Sequence, residues 1–366
     1  MVLPSAASTS QVPSVAVSFG LPDATTTLDV IVTRGDLVES RHRVHAAVVD
    51  ATGQLRLAAR DPLLSTWWRS CAKPFQVMPM LERGHFRALG WGSDELALAC
   101  ASHGGEPEHV ALAGSMLARL GLEEGDLVCG PHEPLSSRGA RLLRESGHRL
   151  TRLHNNCSGK HSAMLARAVL EQWPTVGYER HTHPVQVSAR ETVSTWAGLP
   201  VDAIGVGVDG CGVTVFALPL AHMALSYARL AGAAKRGDDA PAQIVAAMTG
   251  HPFLVGGSDR FDTLLMEACA GRVLCKIGAE GVHTLALLEQ GMGIAVKVED
   301  GGHRAQYPAV LALLAALGEL PETLPDALRE LIGRQVRNTR GEVVGEVRIS
   351  ALEVGQVAAT GADGPL

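Results

Sequence analysis

From Leu28 to Arg60 apolar and polar residues alternate, with breaks at Arg34-Gly35-Asp36 and Asp50-Ala51-Thr52-Gly53. A period of two with turn residues at the breaks predicts an antiparallel meander of about three strands. The pattern then lengthens to helical spacing over Lys73–Arg83, Asp94–Ala101, Glu108–Leu120, Ser136–Glu145 and Asn156–Gln172. A second extended stretch, Ile204–Leu220, is broken by Gly210 and Gly212. Further helices follow, and then strands near Val273–Ile277 and Gly293–Val298. Pro308–Gly318 and Pro325–Ile332 read as helices opened by proline, and Gln335–Ile349 as a closing hairpin around Thr339-Arg340-Gly341. Strands at both ends with helices between them predict an α/β (α+β) fold. Its antiparallel sheet is built from both termini, and a helical lobe fills the middle. No repeat or Pro/Gly/Ser-rich linker divides the chain. One domain over 25–352 is expected, with a mobile tail over 1–24 and another over 353–366.

Composition narrows the class. With 46% hydrophobic and 19% charged residues over 366, the chain is neither disordered nor fibrous. A net charge of −6 argues against a nucleic-acid partner. No apolar run reaches membrane-spanning length, and the first twenty residues hold no Lys or Arg and no apolar core of a leader. A cytoplasmic protein without membrane contact is therefore expected. The 7 cysteines are odd in number and scattered, which points to reduced thiols, most of them core filler. Among the 32 cations only Lys73, Lys160, Lys235, Lys276 and Lys297 are lysines. Arginine never gives up its proton in proteins, so the few lysines are candidates for chemistry.

Three of them fall in suggestive surroundings. In Ser70-Cys71-Ala72-Lys73 the serine and lysine share one helical face, and a neutral lysine can act as general base for a serine hydroxyl. A capped helix start with a solvated lysine would look the same. Ser102-His103-Gly104-Gly105-Glu106 ends an apolar helix and either lines a site or simply exits the helix through glycine. In Asn155-Asn156-Cys157-Ser158-Gly159-Lys160-His161, Cys157 and Lys160 are also one turn apart. With Cys211 of Val208-Asp209-Gly210-Cys211-Gly212 they can form a thiolate-rich site suited to Zn²⁺, or be ordinary buried side chains. The Gly159-Lys160 pair is not a P-loop, because His154 stands where the first glycine belongs and His161 where Ser or Thr is required. Lys276-Ile277-Gly278-Ala279-Glu280-Gly281 closes a strand, where an exposed strand-end lysine is equally compatible. His181-Thr182-His183 reads as a loop. No H-E-x-x-H or G-x-S-x-G occurs.

Taken together, Arg69-Ser-Cys-Ala-Lys73-Pro74, Ala101-Ser-His-Gly-Gly-Glu106, His154-Asn-Asn-Cys-Ser-Gly-Lys-His161, Asp209-Gly-Cys-Gly212 and Lys276-Ile-Gly-Ala-Glu-Gly281 resemble the class 3, rhizobial-type L-asparaginases of the asparaginase II family. The motifs follow the family's order across about Leu28 to Ile349. The resemblance implies a fold like that of serine β-lactamases and penicillin-binding proteins, and hydrolysis of L-asparagine to L-aspartate and ammonia. It implies two Ser-Lys tandems, Ser70 with Lys73 and Ser102 with Lys276. It further implies a zinc ion on Cys157, Lys160 and Cys211, with Asp209 close by, and a homodimer. Arg69, His103, Asn155, Asp209 and Glu280 are the residues expected around the substrate, Arg69 and Glu280 gripping its α-carboxylate and α-amino groups. Two departures weaken a β-lactamase or peptidase reading: Ile277 replaces the threonine of Lys-Thr-Gly, and Ser102-His103-Gly104 does not match Ser-x-Asn. A non-catalytic zinc-binding module is the other alternative.

Overall fold

In the computed structural model, residue 19, residues 27–321 and residues 323–352 are described. The expected tails, 1–24 and 353–366, lie outside them apart from Phe19, whose ring sits edge-on to His222 at 4.8 Å. The meander forms as β1 (Leu28–Arg34), β2 (Leu37–Asp50) and β3 (Leu55–Ala59). A short β4 (Ser65–Trp67), β5 (Gly205–Val208) and β6 (Thr214–Pro219) make a separate three-stranded sheet in the order β4-β6-β5. The remaining strands are β7 (Val273–Ile277), β8 (Val282–Leu287), β9 (Met292–Val298), β10 (Arg334–Arg337) and β11 (Val343–Leu352). They join the meander in an eight-stranded sheet: seven strands follow the order β10-β11-β1-β2-β9-β8-β7, and β3 pairs with β2 off that path.

The long β2 organises this sheet. One edge pairs first with β1 and then with β3, while the other edge pairs with β9 from Val44↔Val298 to Asp50↔Met292. Every pairing is antiparallel. The sheet is thus built from both ends of the chain, and the helices lie between them in sequence. All residues of β7 and β8 are buried, so both faces of the sheet are covered there. That coverage explains why β8 is hard to read: a buried strand has no alternation, and Val282-His283-Thr284-Leu285-Ala286-Leu287 carries two polar residues inside an apolar run.

The helix Leu220–Arg236 is apolar on nearly every side because it is the central buried helix, packed on β2, β8 and β9. It passes β9 at Gly293, where a Cβ would overlap the Ala224 carbonyl oxygen and lie 2.6 Å from Ala228 N. Gly293→Ala is therefore expected to destabilise the fold by about 3 kcal/mol, because backbone on both sides must separate. Urea unfolding checks this, and an unchanged midpoint would contradict the contact. The helix over His303–Ala316 begins five residues before Pro308, earlier than its sequence predicts. Pro308 leaves only the Arg304 carbonyl without its helical partner, and Arg304 is exposed to water. The extra turn brings buried Gln306 within 2.7 Å of the Val282 carbonyl, tying this helix to the β7–β8 turn. No helix among the described residues is long and apolar enough to cross a membrane.

Candidate active site

The first motif forms a short 3-10 turn, Arg69–Ala72, that runs into the helix Lys73–Glu82. Buried neighbours clamp the turn. Trp68 N donates to Phe216 O at 2.8 Å, the Tyr227 hydroxyl to Cys71 O at 2.8 Å, and the Cys71 thiol to Lys276 O at 2.9 Å. Arg69 adopts φ +53°, a left-handed conformation costly for a residue with a Cβ. Its guanidinium Nε donates to Asp209 Oδ1 at 2.7 Å. Burial pushes the Asp209 carboxyl up, but Lys160 and Arg69 hold it below its ordinary range.

The helix Ser93–Ala99 delivers Ser102 to the same place. Ser102 N is held by Val255 O at 3.0 Å and His103 N by Asn156 O at 3.3 Å, fixing the loop from both sides. The Ser102 hydroxyl then lies between two fully buried amines: Lys276 Nζ at 2.7 Å and Lys73 Nζ at 3.1 Å. Lys73 also donates to Ala101 O, and Lys276 to Ile277 O at 2.9 Å. Burial first, and then the neighbouring Lys73, pull the Lys276 ammonium down to about 8. The half-buried Ser70 hydroxyl makes no hydrogen bond among the described residues. Lys73 thus meets Ser102 rather than Ser70 here, and Lys276 is wholly buried where an exposed strand-end lysine was one expectation.

The third and fourth motifs meet at the thiols. The helix Ser158–Leu170 crosses Ser93–Ala99 so closely at Gly159 that a Cβ would overlap the Leu98 carbonyl oxygen. This sets Cys157 and Lys160 beside Cys211, whose Sγ accepts from Lys160 Nζ at 3.0 Å. The Cys157 thiol donates to Asn156 Oδ1 at 2.9 Å. The neighbouring Cys157, and the Lys160 charge, hold the Cys211 thiol well below its ordinary range, against burial. The nearness of Cys211, and burial, push Cys157 up to about 12. Although burial pulls Lys160 down, the Cys211 and Cys157 sulfurs and Asp209 raise it overall. Asn155 spends its side chain locally, accepting from Cys157 N at 2.9 Å and donating to Gly130 O at 2.8 Å. His103 is fully buried with both ring nitrogens engaged, Nδ1 by Gly105 N at 3.2 Å and Nε2 by Ser158 Oγ at 2.9 Å.

Glu280 is exposed, has φ +60°, and its carboxylate makes no ion pair among the described residues. Its carbonyl is held by Lys297 Nζ at 2.6 Å, which also holds Val298 O at 2.6 Å. Lys297 thereby gains a part that sequence reading did not give it: it pins the turn that follows Lys276. Sequence reading also missed Asp262, His283 and Cys275, a buried group just behind Lys276, with one ligand atom of each within 4.8 Å of the others. His283 Nε2 lies 3.0 Å from Asp262 Oδ1, and we read the group as a buried carboxylate–imidazole contact beside a thiol.

No sequence among curated proteins matches this chain. Its structure is similar to that of Mglu, with 16% identity, 81% of this chain and 72% of that chain covered, and a TM-score of 0.42. It is also similar to a beta-lactamase from Mycobacterium bovis, at 12% identity, 76% and 95% coverage and a TM-score of 0.40. An octameric penicillin-binding protein homologue from Pyrococcus abyssi matches at 13% identity, 84% and 82% coverage and a TM-score of 0.37. The profile of the L-asparaginase II family matches residues 30–349, which contain all five motifs and every strand of the meander from β2 onward. The chain belongs to the L-asparaginase II family.

Proposed function

We propose that this amidohydrolase-family protein hydrolyses L-asparagine to L-aspartate and ammonia through an ester on Ser70. The observation that carries the reading is the Ser102 hydroxyl shared by two buried lysines, one of them, Lys73, a single turn along the chain from Ser70. In the proposed step the Lys73 amine turns from Ser102 toward Ser70 and takes its proton as Ser70 Oγ bonds to the side-chain amide carbon. The Ser70 backbone N–H, at the start of its short helix, is one donor available for the oxyanion. The carbon–nitrogen bond then breaks. The proton taken from Ser70 passes from Lys73 to Ser102 as the Ser102 proton passes to Lys276, which delivers it to the leaving nitrogen, so nitrogen departs as ammonia. Water repeats the sequence on the aspartyl ester and frees aspartate and Ser70. Arg69 and Glu280 are the proposed grips for the substrate's α-carboxylate and α-amino groups. The cytoplasmic location expected from the sequence and the homodimeric state implied by the resemblance stay with this reading.

Cys157, Lys160 and Cys211 are the residues that would hold Zn²⁺. Two buried sulfurs, the Cys211 thiol held well below its ordinary range, and an amine 3.0 Å from it are a donor set zinc accepts. A bound zinc would supply a fixed positive charge that orients Asp209 and the groups around it. The peptidase alternative is disfavoured at β7, the terminal strand of the sheet. An extended peptide adding there would need Ile277 N–H, which Asp262 Oδ2 already holds at 2.8 Å.

Ammonia release from L-asparagine, L-glutamine and a control without substrate, each with and without a zinc chelator, tests the function. Asparagine is expected to give ammonia, with a lower rate after chelation. Turnover of a chromogenic cephalosporin without ammonia from asparagine would instead support the lactamase-like reading. Zinc binding without any turnover would leave only the metal module.

A further inference from the structure

Lys276 is a fully buried amine whose surroundings can be counted. Facing it are Lys73 from the helix Lys73–Glu82, Cys71 from the 3-10 turn, and Cys100 and His103 flanking Ser102. Cys157 heads the next helix, and Asp262 lies in the first turn of the helix Phe261–Ala268. The thiols are uncharged: burial pushes Cys71 and Cys100 up to about 12, and the neighbouring Cys211 together with burial does the same for Cys157. Burial holds His103 well below its ordinary range, so it is neutral. Asp262 is the remaining source of negative charge. Burial would raise its carboxyl, but His283, Lys276 and the Ile277 N–H bring it down to about 2.

Geometry places that charge with purpose. Asp262 Oδ2 accepts from Ile277 N at 2.8 Å on the free edge of β7, while the Cys71 thiol donates to Lys276 O at 2.9 Å. The peptide that carries the Lys276 side chain is therefore held on both sides. His283, opposite Ile277 in the β7–β8 register, backs the carboxylate at 3.0 Å and is itself packed against Phe261. A hydroxyl between two ammonium groups has no acceptor for its own proton, so the working state of Ser102 requires a neutral amine, and Lys276 is the nearer one.

We propose that Asp262, backed by His283, is a positioning residue: it is the buried counter-charge that keeps Lys276 basic enough to draw the Ser102 proton, and it aims the amine at that hydroxyl. The catalytic meaning of this role rests on the asparaginase reading, but its physical content does not, and the two are tested apart. With five lysines in the chain, the lysine ¹³Cε signals can be resolved by NMR, and the Lys276→Arg spectrum assigns one of them. In Asp262→Asn the Lys276 titration is expected to move down by about one pH unit or more, because the burial of the amine remains and the counter-charge is gone. The acid limb of kcat/KM for asparagine should move the same way. His283→Gln keeps the carboxylate and removes only its partner, so there the Lys276 titration should stay in place or rise. A merely structural role would move both variants together or neither. A Lys276 titration unmoved in Asp262→Asn, or lowered in His283→Gln, overturns the proposal whatever the substrate proves to be. If Asp262→Asn does not fold, Asp262→Ser is measured in its place, and the same downward shift is expected. A normal set of titrations with no ammonia release would overturn the asparaginase reading and leave this one standing.

Discussion

Ser70→Ala is expected to lower kcat/KM for L-asparagine by about 10³-fold or more while leaving the fold intact. The loss is large because the scheme has one covalent nucleophile, and no neighbouring hydroxyl occupies its place: Ser102 is tied between Lys73 and Lys276 and is almost fully buried. The fold should survive because the Ser70 hydroxyl makes no hydrogen bond among the described residues, and the clamps on its turn come from Trp68, Cys71 and Tyr227. Ammonia release beside a thermal melt checks both halves. Ser102→Ala should differ: it keeps the nucleophile but cuts the path from Lys73 to the leaving nitrogen, so slow, residual turnover is expected. Full activity in Ser70→Ala would move the ester elsewhere.

Lys73→Arg and Lys276→Arg should each cost about 10²–10⁴-fold in kcat, the range for removing a positioned acid–base group. Charge is preserved in both, so the loss isolates the need for an amine that can give up its proton. Space compounds the effect. Both amines are buried, and each already makes two short contacts, so a planar guanidinium has neither room nor matching acceptors. Lys235→Arg is the matched control. Its amine sits at the exposed end of the helix Leu220–Arg236 and donates to Glu289 O at 3.0 Å, a bond arginine can make equally well. Unchanged kcat in Lys73→Arg or Lys276→Arg would remove the proton-transfer roles. A matching loss in Lys235→Arg would mean that the substitutions report folding instead.

Much of the frame was legible from local pattern. The alternation over Leu28–Arg60 gave the meander, the hairpin at Thr339-Arg340-Gly341 closed the sheet, and the glycines around Cys211 marked a true break between β5 and β6. The motifs also named the side chains that converge, because Lys73, Ser102 and Lys276 do meet, as do Lys160 and Cys211. Which serine meets which lysine was beyond local pattern. An i, i+3 spacing puts Ser70 and Lys73 on one face of a continuous helix. Here a 3-10 turn entered through a left-handed Arg69 precedes the helix, and the Lys73 amine reaches Ser102 instead. Asp262 and His283 were invisible for another reason. They are distant in sequence, and His283 lies in β8, whose burial on both faces erases the alternation that would have revealed the strand. Pro308 misled for a third reason: proline suits a first turn, yet a helix tolerates it at the sixth position when the residue whose carbonyl is orphaned, Arg304, is exposed.

The most direct measurement of the central claim is an acid quench of the enzyme during turnover of L-asparagine, followed by peptide mapping by mass spectrometry. An aspartyl group esterified to Ser70 is the predicted result, present in the wild-type protein and missing from Ser70→Ala. Ammonia released with no ester on any residue, or with the ester on Ser102, would contradict it.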